Sequence, residues 1–570
     1  MAHKSVEKAL EKARWQAALF AEIPSRYELS GLIADWPTSK ISLFVHRNQP
    51  FEFIAHQIPV YAAFADLQVE FEFSDYDSTL NFECVNKNND IEIIWLDFDQ
   101  YDKNMAPEVL FQWFCGRLNT LRKNSAGKIL VSNWPGLHEQ ATTFNQLLNE
   151  HVTGMTDTFI CDQAALQKDL GKNYFDERNM AIAGIGLSNQ ACLETARRFG
   201  LTWIPSVVAP RLKAIIVDLD HTLYSGVIEE DGIEEIKLES HHLALQKRLM
   251  ELHDSGMMLA ICSKNNRDMV YKLFRKRKDF PLTTDKFSAI VASWSSKSEG
   301  IQHIVDALGV SADSILFIDD NPAELADVAS RFPDIKLLQA LEGSSTTCNA
   351  LRHYPGLHRW HTQKEDRVRT KDVQANRERA WIQKNSQSEE DYLKALEMKL
   401  MFYVNPDHLL SRLSQLSNKT NRFNTAFLRL DESEIARRLH HPEHYIIAVE
   451  LEDYLSDSGV IGALFAHTES NTLIIDEICI SCRALGRCIE KTILLESIEK
   501  LLSLSLMQKA IIHFNEGPKN STAKQCLDNT LQLAPGGSKC SAIYVYDNNQ
   551  PAANRNDHKL IDIIWDARQS

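Results

Sequence analysis

The stretch VDLDHTLYSGVIEEDG, residues 217–232, determines how most of this 570-residue chain is interpreted. It continues an apolar run, AIIV, that predicts a buried strand, and it places Asp218 and Asp220 one residue apart where that strand ends. Two carboxylates so close together repel each other. A cation and one shared proton would offset the repulsion, so the pair predicts a site whose chemistry requires both groups.

Three further apolar runs end in polar clusters, namely MMLAICSKNN, FSAIVASW and SILFIDDN. Helical patterns such as HHLALQKRLMELHDSG separate these runs, so the block predicts βα units around a parallel sheet. Ligands of such sheets bind beyond the carboxyl ends of the strands. We therefore expect the four polar clusters to meet in one crevice.

The clusters supply the groups that phosphoryl transfer needs. Asp218 is the predicted nucleophile toward phosphorus, and Asp220 is the predicted acid that protonates the leaving group and later takes a proton from water. Ser263 is expected to hold the phosphoryl oxygens and Lys297 to neutralise charge between nucleophile and phosphate. The sequence also predicts a Mg²⁺ site built from four carboxylates, those of Asp218, Asp220, Asp319 and Asp320.

These four motifs, with Thr222 completing the first, resemble the haloacid-dehalogenase (HAD) phosphohydrolase signature in order and spacing. The resemblance implies a Rossmann-like domain over residues 206–345, with Thr222 and Asn265 as further phosphate-binding candidates. The interval between the first two motifs is too short for a large cap domain, and YSGVIEEDGIEEIKL within it predicts a β-hairpin flap. Structural alternatives remain for each motif: a capped turn for Asp218 and Asp220, a helix N-cap for Ser263, a solvated surface position for Lys297, and a helix N-cap for Asp319 or Asp320.

Three other blocks flank this domain. Residues 1–205 alternate strands such as KISLFV, IEIIWLDF and GKILVSNW with helical stretches, which is an α/β pattern. TWIPSVVAPRL predicts an irregular linker, because it contains two prolines. Residues 346–394 predict a helical connector, and residues 395–570 mix strands with helices such as RCIEKTILLESIEKLLSLSL. The fold class is therefore multidomain α/β.

A closer resemblance is carried by LDHTLYSGVIEEDG, CSKNN, FIDDNPAE, SQLSNKTNRFNTAFLRLDESEI, VIGALF and CISCRALGRCIEKTIL. Together they resemble the FkbH-like family, in which a HAD domain precedes a GNAT-type acetyltransferase-like domain and an SGNH-hydrolase-like region often leads. The resemblance implies a Mg²⁺-dependent glyceryl transferase. Such an enzyme dephosphorylates 1,3-bisphosphoglycerate and loads the glyceryl unit on the phosphopantetheine thiol of an acyl carrier protein, for polyketide or related biosynthesis.

The resemblance also places an acyl site in the last block. Cys482 precedes RALGR, where a helix start is expected to bind pyrophosphate, and it is the first candidate for acyl acceptor. Cys262 is the second, although a strand should turn it away from Ser263. Arg483, Gly486 and Arg487 are the predicted pantetheine or phosphate contacts. The NKTNRFN string adds four candidates that either line the acyl site or cap a helix: Asn418, Lys419, Asn421 and Asn424.

Two other functions remain open at this point. One is a plain phosphatase for a sugar- or polyol-phosphate with an inactive acyltransferase-like domain, and the other is a non-catalytic scaffold for carrier proteins. The first block contains no Gly-Asp-Ser nucleophile motif, so we expect it to be non-catalytic and to dock the carrier protein. The usual tryptophan-glycine-glycine after the first HAD motif reads YSG here, which leaves the identity of the acyl group open.

Composition narrows the class of protein. The formal net charge is −15 and the pI about 5.8, which disfavours nucleic acid and anionic membranes as partners. No apolar run reaches the length of a membrane span, and the charged N-terminus is unlike a signal peptide. Eleven scattered cysteines without a CxxC pair predict free thiols in a reducing, cytoplasmic compartment.

Overall fold

The computed structural model describes residues 2–36, 38–77, 79–82, 88–101, 105–360, 375, 379, 382–383, 386, 388–534, 541–547 and 560–566. The chain divides into two compact units. The first is residues 1–361 apart from 254–258 and 305–310, and those two segments group with residues 362–570 in the second. Most of the predicted helical connector lies outside the described residues, so it stays a prediction.

The first unit begins with a five-stranded sheet in the order β2-β1-β3-β4-β5, in which every pair is parallel. Its central strand β3 is buried along its whole length. The strands are β1 Ser39–Arg47, β2 Leu67–Tyr76, β3 Ile91–Trp95, β4 Lys128–Ser132 and β5 Thr158–Cys161. The helices around it are α1 Ala2–Leu19, α2 Arg26–Ser30, α3 Glu52–Ala55, α4 Ile58–Phe64, α5 Pro107–Asn124, α6 Glu139–Thr153, α7 Gln163–Leu170, α8 Glu177–Ala183, α9 Asn189–Arg197 and α10 Ile204–Val208.

A second sheet of the same unit has the order β10-β9-β6-β7-β8 and positions the predicted crevice. Its central strands are continuous apolar runs because helices cover both faces, as expected for a parallel sheet. The strands are β6 Ala214–Val217, β7 Met258–Ser263, β8 Phe287–Ala292, β9 Ile315–Asp319 and β10 Lys336–Gln339. The helices are α11 Ile228–Asp231, α12 Ser240–Asp254, α13 Arg267–Lys276, α14 Lys297–Leu308, α15 Pro322–Arg331 and α16 Thr346–His353.

The second unit is built on an eight-stranded mixed sheet in the order β16-β17-β15-β14-β13-β12-β11-β18. Helix α20 lies against it and buries Ile493, Leu494 and Ile498 in the main core of the unit. The strands are β11 Lys399–Val404, β12 His444–Asp453, β13 Ser456–Glu469, β14 Thr472–Ile480, β15 Lys509–Asn515, β16 Gln532–Leu533, β17 Ser541–Asp547 and β18 Asp562–Trp565. The helices are α17 Glu389–Leu396, α18 Leu410–Lys419, α19 Glu432–Leu439, α20 Glu490–Ser505 and α21 Ser521–Thr530.

The multidomain α/β class predicted from the sequence is confirmed, but two local predictions are wrong. The linker predicted at TWIPSVVAPRL is helical through Val208. Pro205 falls in the first turn of α10, where a helix tolerates proline because the missing N–H would have no partner within the helix. The predicted β-hairpin flap is reduced to a single bridge between Ser225 and Lys237. Between them the chain forms the one-turn helix α11, since the Asp231 carboxylate accepts the Val227 N–H at 2.7 Å.

None of the helices in the part of the chain that the structure describes is long and apolar enough to cross a membrane.

Candidate active site

Lys297 lies at the centre of the predicted crevice. It is the first residue of α14, and its Nζ atom is 2.5 Å from the Asp218 carboxylate and 3.0 Å from that of Asp319. Its Nζ also donates to the Cys262 carbonyl at 2.9 Å. Burial opposes the charge, but the two carboxylates outweigh burial and hold the pKa of Lys297 above its usual value. The structure thus brings the first, third and fourth motifs into contact.

A carboxylate cluster beside Lys297 fits a divalent cation. Asp218, Asp319 and Asp320 each offer an oxygen, and these atoms lie within 4.8 Å of one another. Burial and the Asp218 charge raise the pKa of Asp319 to about 7, despite Lys297, and the same two causes raise the pKa of Asp320. The raised values show that one ammonium does not satisfy three carboxylates. Mg²⁺ would be held by these three residues, and it supplies the positive charge that screens phosphate oxygens from the nucleophile.

Asp220 was predicted as a metal ligand, and the structure corrects this. Its Oδ1 accepts the Tyr224 hydroxyl at 2.7 Å and the Ile228 N–H at 3.1 Å, while Oδ2 accepts the Asn265 amide at 2.8 Å. Three donors therefore hold its carboxylate outside the cluster of Asp218. The other role predicted for Asp220, proton transfer, stays a prediction.

The second motif is joined to the first through Asn265. Its Nδ2 donates to the Ser263 hydroxyl at 2.8 Å as well as to Asp220, so one amide orients both side chains. Its Oδ1 atom and the Thr222 hydroxyl are buried and have no hydrogen-bond partner among the described residues. Buried polar atoms without partners are costly, so these two groups are available to a ligand. The phosphate-binding roles of Ser263, Thr222 and Asn265 stay predictions.

Lys297→Met tests the central ammonium. We expect phosphate release to fall about 10²- to 10³-fold, because a preorganised charge at the transferring group is lost. We also expect the melting temperature to fall, since two buried carboxylates lose their counter-charge, and added Mg²⁺ to raise it more than in the wild type. Phosphate release and thermal unfolding measured with and without Mg²⁺ check this. As a control, Lys276→Met removes an exposed lysine paired with Glu234 and should change neither phosphate release nor the melting temperature. Loss of phosphate release in Lys276→Met, or wild-type behaviour of Lys297→Met, would contradict the central role of Lys297.

Cys262, the second acyl-acceptor candidate, faces away from the crevice. Its Sγ packs under α14, and a β-carbon added to Gly300 would meet that sulfur at 2.7 Å. Burial raises the pKa of the Cys262 thiol to about 12. A nucleophilic thiolate therefore does not form there near neutral pH, and the structure removes Cys262 as an acceptor.

The loop after β14 does not offer the predicted row of free N–H groups. Cys482 is half-buried and begins a short 3₁₀ turn through Ala484. The N–H groups of Ala484 and Leu485 donate within that turn, and the Gly486 N–H donates to the Glu490 side chain at 3.0 Å. The loop amides are thus largely engaged, and the phosphate role predicted for Gly486 is not supported by this geometry.

Arg487 was predicted to contact a phosphate and instead points into the interior. It is 2% exposed, and its Nη1 lies 3.0 Å from the Asp453 carboxylate and 2.9 Å from the Ser458 hydroxyl. Arg379 donates to the same carboxylate at 2.7 and 2.9 Å. Arg487 therefore stabilises the unit through a buried Arg–Asp–Arg group. Arg483 remains half-buried, with its Nη2 donating to the Val460 carbonyl at 3.2 Å.

The NKTNRFN residues mostly hold their own segment. Asn424 is fully buried, donates to Glu477 at 2.8 Å and accepts two backbone N–H groups, so it cannot reach a substrate. Asn418 donates to the Leu430 carbonyl at 2.7 Å, and Asn421 accepts from Arg429. These contacts match neither the acyl site nor a helix cap, and they instead tie the segment to Leu430, Arg429 and Glu477. Lys419, the last residue of α18, is half-buried, and its ligand role stays a prediction.

The same segment fills a gap in the large sheet. Strand β14 pairs with β15 only as far as Ile475. Beyond that point the Thr425 N–H donates to the Ile478 carbonyl at 3.1 Å, and the Asn515 N–H of β15 donates to the Thr425 carbonyl at 2.7 Å. An extended ligand arm that adds to a strand needs a free edge. On this stretch of β14 the chain's own residues occupy it.

Sequence reasoning missed the role of Tyr224. Its hydroxyl anchors Asp220, and its ring is fully buried. The sequence signal is Tyr224 at the position where the FkbH-like pattern has a tryptophan. Glu229 was missed too: from α11 it accepts the Asn266 N–H at 2.7 Å and ties the one-turn helix to the second motif.

Comparisons with known proteins add structural likenesses only. No family model matches the chain, and no curated protein matches it. Among solved structures, the N-terminal part of protein BF1531 from Bacteroides fragilis, containing a phosphatase domain complexed with Mg, is similar over 57% of this chain and 95% of its own, with 21% identity and a TM-score of 0.46. Spermidine N-acetyltransferase from Vibrio cholerae is similar over 26% of this chain and 94% of its own, with 13% identity and a TM-score of 0.20. At these identities and scores we draw no functional conclusion from either likeness.

Proposed function

We propose that this protein is a Mg²⁺-dependent phosphoryl-transfer enzyme of the HAD type. The observation that carries the proposal is the contact of Lys297 with Asp218 and Asp319 at the carboxyl edge of a parallel sheet, with Asp320 completing a three-carboxylate cluster. A nucleophilic carboxylate, a buried ammonium and a cation site are the groups that displacement at phosphorus needs.

The residues divide the reaction between them. Asp218 attacks phosphorus and forms an aspartyl-phosphate while the leaving oxygen departs. Asp220, held by Tyr224 and Asn265, gives that oxygen its proton and then takes one from the water that hydrolyses the intermediate. On this proposal the hydroxyl groups of Ser263 and Thr222 donate to phosphoryl oxygens.

The finer proposal concerns the substrate and the acceptor. The FkbH-like resemblance supports 1,3-bisphosphoglycerate as substrate. A cysteine thiolate attacks the C1 carbonyl and displaces the C1 phosphate, and Asp218 accepts the C3 phosphoryl group, which water then releases as phosphate. The glyceryl unit then passes from the cysteine to the phosphopantetheine thiol of an acyl carrier protein, and the cysteine thiol is restored. A thiolate is a strong nucleophile toward an acyl phosphate, and Cys482 is half-buried at a turn. Because Cys262 is buried under α14, we propose Cys482 as the residue that accepts the glyceryl unit.

Specific contacts favour a second candidate function, a phosphatase whose acyltransferase-like unit is structural. Arg487 and Asn424 are both occupied in the interior, and the edge of β14 is covered by residues 423–425. On this candidate the substrate is a sugar- or polyol-phosphate, and Cys482 takes no part.

Intact-protein mass spectrometry separates the two. The wild type and Cys482→Ala would be incubated with Mg²⁺ and enzymatically generated 1,3-bisphosphoglycerate, with Cys526→Ala as a matched half-buried control. The transferase predicts an adduct of glyceryl mass on the wild type and the control, absent from Cys482→Ala and discharged by a pantetheinylated carrier protein. The phosphatase predicts equal phosphate release by all three proteins without an adduct. An adduct of glyceryl mass on Cys482→Ala would show that Cys482 is not the acceptor.

A further inference from the structure

The first sheet has a site of its own at its carboxyl edge. A cavity of about 260 Å³ lies beyond the ends of β3, β4 and β5, and its wall is largely apolar, with Trp95, Trp134, Tyr174 and Leu187 among its residues. The carboxyl edge is where parallel sheets bind ligands. The phosphoryl chemistry uses the second sheet, so nothing above accounts for this cavity.

Three of the residues that line the cavity carry a buried donor without an acceptor. Gln163, the first residue of α7, is 1% exposed, and its carbonyl oxygen accepts from Tyr174 at 3.0 Å and from Thr195 at 3.2 Å. These bonds fix the amide, and its Nε2 has no hydrogen-bond partner in the described part of the chain. The same holds for the indole Nε1 atoms of Trp95 and Trp134. Unpaired buried donors cost free energy, so the cavity is built for a molecule that carries an acceptor.

The charge around the cavity selects against anions. Carboxylates line it at Asp97, Asp99, Asp176 and Glu177, and none of its lining residues is lysine or arginine. A cleft lined by one sign of charge concentrates ligands of the opposite sign and repels those of its own. Ammonium and hydroxyl groups can donate to these carboxylates, whereas phosphates and carboxylates meet repulsion.

We propose that this cavity binds a small organic molecule that carries no negative charge. Its inner end bears a carbonyl-type acceptor for the Gln163 amide and the indole N–H groups, its body is apolar or aromatic, and its outer end bears an amine or other donor. This site is separate from the proposed phosphoryl transfer and does not depend on it.

The proposal is tested with three probes that share a phenylpropyl body. They are 3-(4-(aminomethyl)phenyl)propanamide, a cation whose ammonium and amide carbonyl lie at opposite ends; 3-phenylpropanamide, which is neutral; and 3-phenylpropanoate, an anion. Saturation-transfer NMR and calorimetry on the full-length protein would give their affinities. We expect the cation to bind at least as tightly as the neutral amide, and the anion to bind at least about tenfold more weakly than the amide.

Two variants of α8 locate the binding. Met180 lines the cavity and is 48% exposed, so Met180→Trp fills its mouth without disturbing the core. Ile182, on the same helix, is 86% exposed and does not line it, so Ile182→Trp is the control. We expect Met180→Trp to weaken the binding of 3-(4-(aminomethyl)phenyl)propanamide at least about tenfold and Ile182→Trp to leave its affinity within about twofold. Equal binding of the anion, an unaffected Met180→Trp variant, or no binding of any probe at millimolar concentration would overturn the proposal.

Discussion

Asp218→Asn abolishes phosphate release, with an expected loss of about 10⁴-fold or more, because the amide cannot act as the attacking carboxylate. The substitution keeps the shape of the side chain and removes a like charge from beside Asp319. We therefore expect the fold to be kept and the melting temperature to be unchanged or raised. Phosphate release from acetyl phosphate with Mg²⁺, measured beside thermal unfolding, checks both halves of this expectation.

A matched control is available in the same domain. Asp334 is an exposed carboxylate in the turn before β10, and Asp334→Asn should retain wild-type activity. If Asp218→Asn keeps activity within tenfold of the wild type, Asp218 is not the nucleophile. If Asp218→Asn unfolds, the expectation of an unchanged or raised melting temperature is wrong. The loss of activity then reflects unfolding rather than the missing nucleophile.

Asp453→Ala is expected to cause the largest loss of stability, about 3–5 kcal/mol in the second unit. Its carboxylate is fully buried and accepts five hydrogen bonds, from Arg379, Arg487 and the N–H groups of Leu455 and Ser456. Removing it leaves two buried guanidinium groups without a counter-charge. Hydrogen exchange of peptides from β12 and β13, together with thermal unfolding, measures the change.

The control for this prediction lies in the same hairpin. Asp457 is exposed, and its carboxylate accepts only the Gly459 N–H at 2.8 Å among the hydrogen bonds described for it. Asp457→Ala should cost less than about 1 kcal/mol. Equal losses for Asp453→Ala and Asp457→Ala would mean that the buried Arg–Asp–Arg group adds little to stability.

The residues that meet in the crevice could be predicted from the sequence, because the carboxyl ends of parallel strands lie at one edge of a sheet. Each apolar run of the second sheet ends at the same edge, so Asp218, Ser263, Lys297 and Asp319 had to meet once the runs were recognised as strands. The one-turn helix α11 could not be predicted, because it depends on hydrogen bonds that the Asp231 and Asp220 carboxylates accept from the Val227 and Ile228 N–H groups. In a linear pattern these residues look like part of a hairpin.

What the sequence by itself determined is the set of chemical groups and the sheet edge that carries them. Only the tertiary structure decided where each side chain turns. Asp220 turns to Tyr224 and Asn265 rather than to the cluster of Asp218, Asp319 and Asp320. Arg487 turns inward to Asp453, and Cys262 packs under Gly300. The physical reason is that a buried polar group takes whichever partner satisfies it, and most of these partners are far away along the chain.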